Sequence, residues 1–381
     1  MTRLLRTLNW IASRGHRWLG FVAGAIVIVM AMTGMLLVFK DPVVHALNPR
    51  LAHISQAFAS GTQPLPLPQL LHPGLYPAEQ PIARVIIDPS GERPSSLRFS
   101  ASPRNAVYFD PYTGQPLKAI KGLALFSQIQ EIHQHLAAGR GGKAVIDATA
   151  CSVVVLCLSG SFLFLVRTAG RWRSVFRLSG RSWQQTLKQL HGLLGIWGVA
   201  LFLTIALTGL YWSYGWYHRA AHSLLAGPHR AALDHPAARQ ATVSRATLTS
   251  WQKALDQFPH CTRRFIDLRV ISSDAFWANL RCLPETPAAP PGFSGVIRVH
   301  QDHIIAQYPL AREPVGQRLL VQIAALHTGQ LFGTAGRILW FIAALALAVI
   351  AATGLLTFRA HWSSSKRHRE RTAASAPTRH G

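Results

Sequence analysis

Imidazole is the side chain with the most chemistry in reserve here, and the chain carries 18 histidines. Four of them recur at fixed offsets. The stretch HRWLGFVAGAIVIVMAMTG, from His16 to Gly34, is echoed by HGLLGIWGVALFLTIALTG, from His191 to Gly209. His16, Gly20, Thr33 and Gly34 therefore correspond to His191, Gly195, Thr208 and Gly209. A second template aligns His133, Gly139, Gly142, Ser159 and Gly160 with His327, Gly333, Gly336, Thr353 and Gly354. Two templates, each used twice in the same order, mark a tandem duplication. A neutral imidazole offers iron a nitrogen lone pair, and histidine is a common axial ligand of haem. The candidate haem-iron ligands are thus His16, His191, His133 and His327, the first two forming one pair and the last two another. That pattern predicts two b-type haems in two layers.

The remaining histidines lack this support. His135 has no counterpart in the other repeat, and His45, His218, His222 and His361 lie near helix ends as substitutes. Met30, Met32 and Met35 suit packing better than ligation. Of the four cysteines, Cys151 and Cys157 fall in an apolar run and read as small packing residues. Cys261 and Cys282 are a plausible disulfide if their segment faces an oxidising compartment. No CxxC or CxxCH occurs, so covalent c-type haem attachment is excluded.

The elements that must position these residues are membrane helices. A mean hydropathy of +0.18 coexists with a formal charge of +24, a combination foreign to a soluble protein of this length. Four apolar runs, at 18–39, 144–166, 193–214 and 337–358, reach the roughly 20 residues that cross a bilayer. Asp147 is the acid among them. The first run is longer than a secretory signal core and resembles the third, so it reads as a retained span. Basic residues crowd 1–17, the loop 167–192 and the tail 359–381. The positive-inside bias puts these three segments in the cytoplasm and the long segments 40–143 and 215–336 outside. The charge is thereby explained by topology, which argues against nucleic acid as a partner.

Each long outer segment reads as a small α+β unit. Strands are predicted at 83–88, 97–101 and 106–109, with Asp110-Pro111-Tyr112-Thr113-Gly114 as a turn. In the second segment a helix is predicted over 247–258 with Thr247 as its cap, then strands at 265–271, 275–281, 295–300 and 304–308. The Pro-rich pieces 64–81 and 284–292 read as irregular linkers. One difficulty follows for the outer pair. His133 lies about ten residues before its apolar core, which as continuous helix would lift it about 15 Å. Gly139, Gly141 and Gly142, with Gly329, Gly333 and Gly336 in the other half, are expected to break the helix so that each histidine folds back.

HRWLG, IHQHLAAGRGG, HGLLG, LHTGQLFG, the paired Thr-Gly and the turn DPYTGQPL together resemble the PepSY-associated transmembrane helix family. Within it the chain is most similar to the FoxB-type ferric-siderophore reductases of the bacterial inner membrane. The resemblance implies a four-helix membrane protein with periplasmic PepSY-like units. It further implies haem b as cofactor and reduction of a ferric siderophore in the periplasm. No GxGxxG sits between a strand and a helix, so electrons are expected from a quinol or a cytoplasmic reductase. The outer aromatics Tyr108, Tyr112, Phe276 and Trp277 are candidates for a docking surface or for the cores of the sheets. Two rival readings are a non-catalytic peptide-binding or protease-regulating protein and an iron-siderophore transporter. Parallel rather than inverted repeats fit the transporter less well.

Overall fold

The computed structural model describes residues 3–72, 74–75, 80–100, 106–117, 119–168, 182–226, 243–258, 264–282 and 294–374. The chain begins with helices α1 (Arg3–Val38), α2 (Lys40–Leu47), α3 (Pro49–Ala59) and α4 (Leu67–Leu70). Strands β1 (Ile82–Ile87), β2 (Ser95–Phe99) and β3 (Ala106–Phe109) follow, then helices α5 (Leu123–His135) and α6 (Gly139–Thr168). The second half opens with α7 (Trp183–Ser213), α8 (Gly215–Ala226) and α9 (Arg245–Asp256). It continues with β4 (Arg264–Ser272), β5 (Ala275–Cys282), β6 (Ser294–His300) and β7 (His303–Pro309), and ends in α10 (Val315–His327) and α11 (Gly333–Ala374). These elements divide into a helical unit (Met1–Phe39, Leu125–Ala220, Gln322–Gly381) and a mixed unit (Lys40–Ala124, Ala221–Val321).

In the helical unit, α1, α6, α7 and the Gln330–Ala360 stretch are each long and apolar enough to cross a membrane. Without water to bond to, an apolar run satisfies its backbone only by coiling. The helices also run past the apolar segments, α1 from Arg3 and α7 from Trp183, because polar ends in water extend a helix at little cost. Helix α1 packs on α6 and α11, and α7 packs on the same two, so α1 and α7 stand diagonally opposed. Small side chains fill the middle. Ala23, Val27, Val153 and Ala206 are buried there, with Cys157 and Ala351 packed against them, which lets the helix backbones approach closely.

The mixed unit departs from expectation. Two separate α+β units were predicted, one per outer segment. Instead the strands of both segments join in one seven-stranded antiparallel sheet, in the order β3-β2-β1-β4-β5-β6-β7. The seam is β1 against β4, with Val85 opposite Leu268 and Ile87 opposite Ile266. A three-stranded and a four-stranded sheet would each leave an apolar strand edge with unmade backbone bonds, and merging them removes both edges. One face of the sheet is apolar. Val85, Leu97, Phe109, Leu268, Phe276 and Ile297 bury against Leu67 and Leu70 of α4 and Trp251 and Leu255 of α9.

Other expectations are refined. The strands lie within two residues of their predicted bounds. Residues 64–81, read as irregular, contain α4, whose two leucines anchor it to the core. Helix α9 is capped by Ser244 rather than Thr247, the serine hydroxyl accepting from the Thr247 amide at 3.1 Å. The DPYTG turn forms as predicted: Asp110 Oδ1 accepts from the Tyr112 amide at 2.8 Å, and Gly114 takes φ +69°. Residues 284–292, Cys261 and the Cys282 side chain lie outside the described residues, and with them the expected disulfide.

Candidate functional site

All four repeat-selected histidines belong to the helical unit. Each sits against a hydroxyl-glycine dipeptide on the neighbouring helix of its own repeat. His16 of α1 places Nδ1 2.9 Å from Ser159 Oγ of α6, while His133 at the end of α5 places Nδ1 2.9 Å from Thr33 Oγ1 of α1. The second repeat copies this. His191 of α7 reaches Thr353 Oγ1 of α11 at 3.2 Å, and His327 of α10 reaches Thr208 Oγ1 of α7 at 2.9 Å.

The hydroxyl protons are already committed, and this fixes the tautomers. Thr33 Oγ1 donates to the Val29 carbonyl at 2.7 Å, Ser159 Oγ to Val155 at 2.7 Å, Thr208 Oγ1 to Thr204 at 2.6 Å and Thr353 Oγ1 to Ile350 at 2.9 Å. Each oxygen can then only accept from the imidazole, so Nδ1 carries the proton. For His191 a carbonyl makes the same demand, since Nδ1 lies 3.0 Å from the Ile350 oxygen. Nε2 is thereby left with its lone pair in all four rings. A metal-bound histidine characteristically donates its other ring N–H to a fixed acceptor, which holds ring orientation and tautomer.

The glycine of each dipeptide gives the ring its place. A Cβ at Gly34 would stand 3.2 Å from His133 Cε1, at Gly160 3.0 Å from His16 Cε1, at Gly209 3.3 Å from His327 Cε1 and at Gly354 3.3 Å from His191 Cε1. All are closer than ordinary van der Waals contact, so any larger residue would displace the imidazole. Beyond His191 there is room of another kind: a Cβ at Gly195 would meet nothing within 4 Å.

His16 and His191, on the diagonal helices, approach with ring centroids 6.2 Å apart and planes at 88°. Two imidazoles on opposite sides of one metal ion, at roughly 2 Å per nitrogen, would have centroids about 6 Å apart. The separation of the pair is one that two imidazoles sharing a single iron would have. In the other layer the Trp212 indole lies 5.5 Å from the His327 ring. Seventeen residues of α1 separate His16 from Thr33, which is about 26 Å of helix rise. Two histidine layers at that spacing suit the two margins of a bilayer core.

The predicted break before the second span is present. Helix α5 stops at His135, Leu136 and Ala137 take φ of 50° and 55°, and α6 starts at Gly139 with φ 55°. The break itself thus falls on Leu136 and Ala137 as well as on a glycine, while Gly141 and Gly142 are helical. Gly142 serves differently: a Cβ there would overlap the His135 carbonyl. In the second repeat Gly329 and Gly333 have φ of 72° and 60°, and a Cβ at Gly336 would overlap the Gly329 carbonyl.

Residues 13–360 match the family described as the PepSY-associated TM region. The chain belongs to this PepSY-associated transmembrane family. An uncharacterized protein of Pseudomonas aeruginosa is 34% identical over 79 residues, which span 20% of this chain and 19% of that protein. As a PepSY-associated protein the chain keeps its reserve histidines elsewhere. His135 Nδ1 faces Glu131 at 3.3 Å, His45 Nε2 bonds Ser55 Oγ at 3.2 Å, and His218 stacks on Tyr211 at 4.3 Å. The His361 side chain lies outside the described residues. Among the described residues no three His, Cys, Asp or Glu side chains converge as a bare metal ion would require; haem iron asks only two axial ligands of the protein. Of the outer aromatics, Phe276 and Trp277 are buried, and Tyr112 donates its hydroxyl to the Pro89 carbonyl at 2.9 Å.

Proposed function

We propose that this protein binds two b-type haems and carries electrons across the bacterial inner membrane to a ferric siderophore in the periplasm. The observation that carries the reading is the fourfold imidazole cradle, in which every repeat-selected histidine sets its Nδ1 against a hydroxyl of the neighbouring helix, an arrangement that assigns the Nδ1–H tautomer and leaves Nε2 to a ligand. An interfacial histidine needs no such arrangement, and four alike at repeated offsets have one economical purpose, which is to hold four ligands in fixed orientation. His16 and His191 would hold one haem, and His133 and His327 the other.

When bound, haem supplies one-electron chemistry at iron. The chain's own residues do the rest. Ser159 and Thr353 orient the first pair of rings, and Thr33 and Thr208 the second, by accepting their Nδ1 protons. That acceptance raises the basicity of each ligand, the ordinary way in which a hydrogen bond behind a ligand tunes a metal. The glycines admit the rings against the helix backbone, and the bundle keeps the two layers apart. Charge placement supports both termini being cytoplasmic and the mixed unit periplasmic. A quinol or a cytoplasmic reductase would deliver the electrons.

Absorbance of the purified protein before and after dithionite tests this directly. A Soret band and a reduced α-band are expected, and a pyridine haemochrome assay should count two haems per chain. Protein that folds in membranes rich in haem yet shows neither band would end the reading.

A further inference from the structure

Cross-strand register in the mixed unit sets up a row of cations. Arg98 of β2 stands opposite Arg84 of β1, Arg84 opposite Arg269 of β4, Arg269 opposite Trp277 of β5, and Trp277 opposite Arg298 of β6. One place along each strand lie Leu97, Val85, Leu268, Ala278 and Ile297, which form the buried core. Side chains alternate on a strand, so the row occupies the other face.

Like charges directly opposite one another destabilise a sheet, and here the compensation is partial. Asp267 takes Arg84 through two bonds of 2.6 Å, and the Arg298 guanidinium lies 5.2 Å from the centre of the Trp277 ring. Arg98 Nε is shielded from solvent with no hydrogen-bond partner. Burial first, and then Arg98 and Arg93 nearby, loosen the hold of Lys40 on its proton, against the pull of Asp41, which pairs with Arg93 at 3.1 Å. Burial first, and Arg84 beside it, loosen the hold of Arg269 on its proton, although Asp267 works the other way. The four arginines are half-buried and Trp277 is buried among them, and guanidinium groups held abreast in this manner favour an anion that reaches them.

Spacing narrows the anion. Neighbouring strands lie about 4.8 Å apart, whereas same-side residues of an extended peptide repeat at about 6.7 Å. The row is therefore out of step with an acidic peptide. Arg98, Arg84 and Arg269 cover two strand gaps, about 10 Å, a span suited to one compact polyanion rather than an extended chain.

We propose that this arginine row docks the substrate, and that the substrate is a ferric chelate of net negative charge, with ionised catecholate or carboxylate oxygens. The identity of the ligand as a ferric chelate rests on the reductase reading above; the anion site itself rests on the register.

Calorimetric titration of the full-length protein in detergent tests it, with ferric tricatecholate and ferric citrate as anionic probes. A neutral ferric trihydroxamate, inorganic phosphate and an acidic peptide serve as comparisons. The anionic chelates should bind best and weaken with added salt. Arg98→Gln and Arg269→Gln should each loosen them by about 10- to 100-fold, with haem content unchanged and the thermal midpoint held or raised. Arg245→Gln, on the exposed side of α9, should change nothing. Unchanged affinity in both row variants, or a neutral chelate, phosphate or peptide binding as tightly, would overturn the proposal. Chelate binding by protein that lacks a haem spectrum would sustain the site while sinking the reductase; a haem spectrum without chelate binding would do the reverse.

Discussion

At the scale of single residues, the cradle makes separable demands on hydroxyl, glycine and imidazole. Thr208→Val keeps the side-chain shape but removes the acceptor for His327, a bond worth roughly 0.5–1.5 kcal/mol net. Under the two-haem proposal the expected result is a protein that keeps most of its haem, with the midpoint potential of one haem moved and the other unmoved in a spectroelectrochemical titration. Loss of both haems, or no movement at all, would contradict the assignment of Thr208 to one ligand. Gly160→Ala should act more harshly, since its Cβ would press on His16 Cε1 at 3.0 Å. Gly15→Ala, where a Cβ meets nothing within 4 Å, is the matched control. His16→Ala and His133→Ala should each abolish one haem and spare the other, seen as a haemochrome count that falls from two to one. The histidines were legible in the sequence because the repeat picked them out. Their partners were printed in the same templates as Thr-Gly and Ser-Gly pairs, but small residues at helix faces ordinarily mean close packing. Only coordinates show that each hydroxyl meets a ring on the neighbouring helix.

At the scale of elements, the reach of the outer pair depends on how α5 turns into α6 and α10 into α11. Gly142→Ala would drive a methyl into the His135 carbonyl, and Gly336→Ala into that of Gly329. Either substitution should displace the histidine of its own hairpin, so resonance Raman or low-temperature EPR should report altered ligation in one haem only. Altered ligation in the His16–His191 pair would show that the break does not act locally. The spacing argument foresaw a break here, because ten residues of straight helix would have carried His133 away from the bundle. It did not foresee that Leu136 and Ala137 would take positive φ, since such residues are unfavourable there and are tolerated only where surrounding structure enforces them.

For the whole molecule, the single sheet ties the two halves of the duplication together. Amide hydrogen exchange on the intact protein measures this. Strands β1 and β4 sit in the interior of the seven-stranded order, so Val85 and Leu268 should be among the most protected amides, with β3 and β7 exchanging faster. Two independent units would instead show β1 and β4 as freely exchanging edges. The sequence marked every strand to within two residues yet said nothing of their shared sheet. Alternation of apolar side chains encodes which face of a strand is buried, but not which strand lies beside it.

The two histidine pairs have a further consequence for how such a molecule arises. Each pair takes one imidazole from each repeat, whereas each cradle is complete within a repeat: α1 supplies the socket for His133, and α6 the socket for His16. A lone helix thus owns no finished socket, a lone hairpin owns two sockets but half of each pair, and two hairpins side by side own everything. A single hairpin would therefore suffice for both pairs only where two copies meet in the bilayer. Joining two such hairpins in one chain keeps both pairs together without a second copy, and leaves each arm open to differ, as Asp147 in one and Phe341 in the other do.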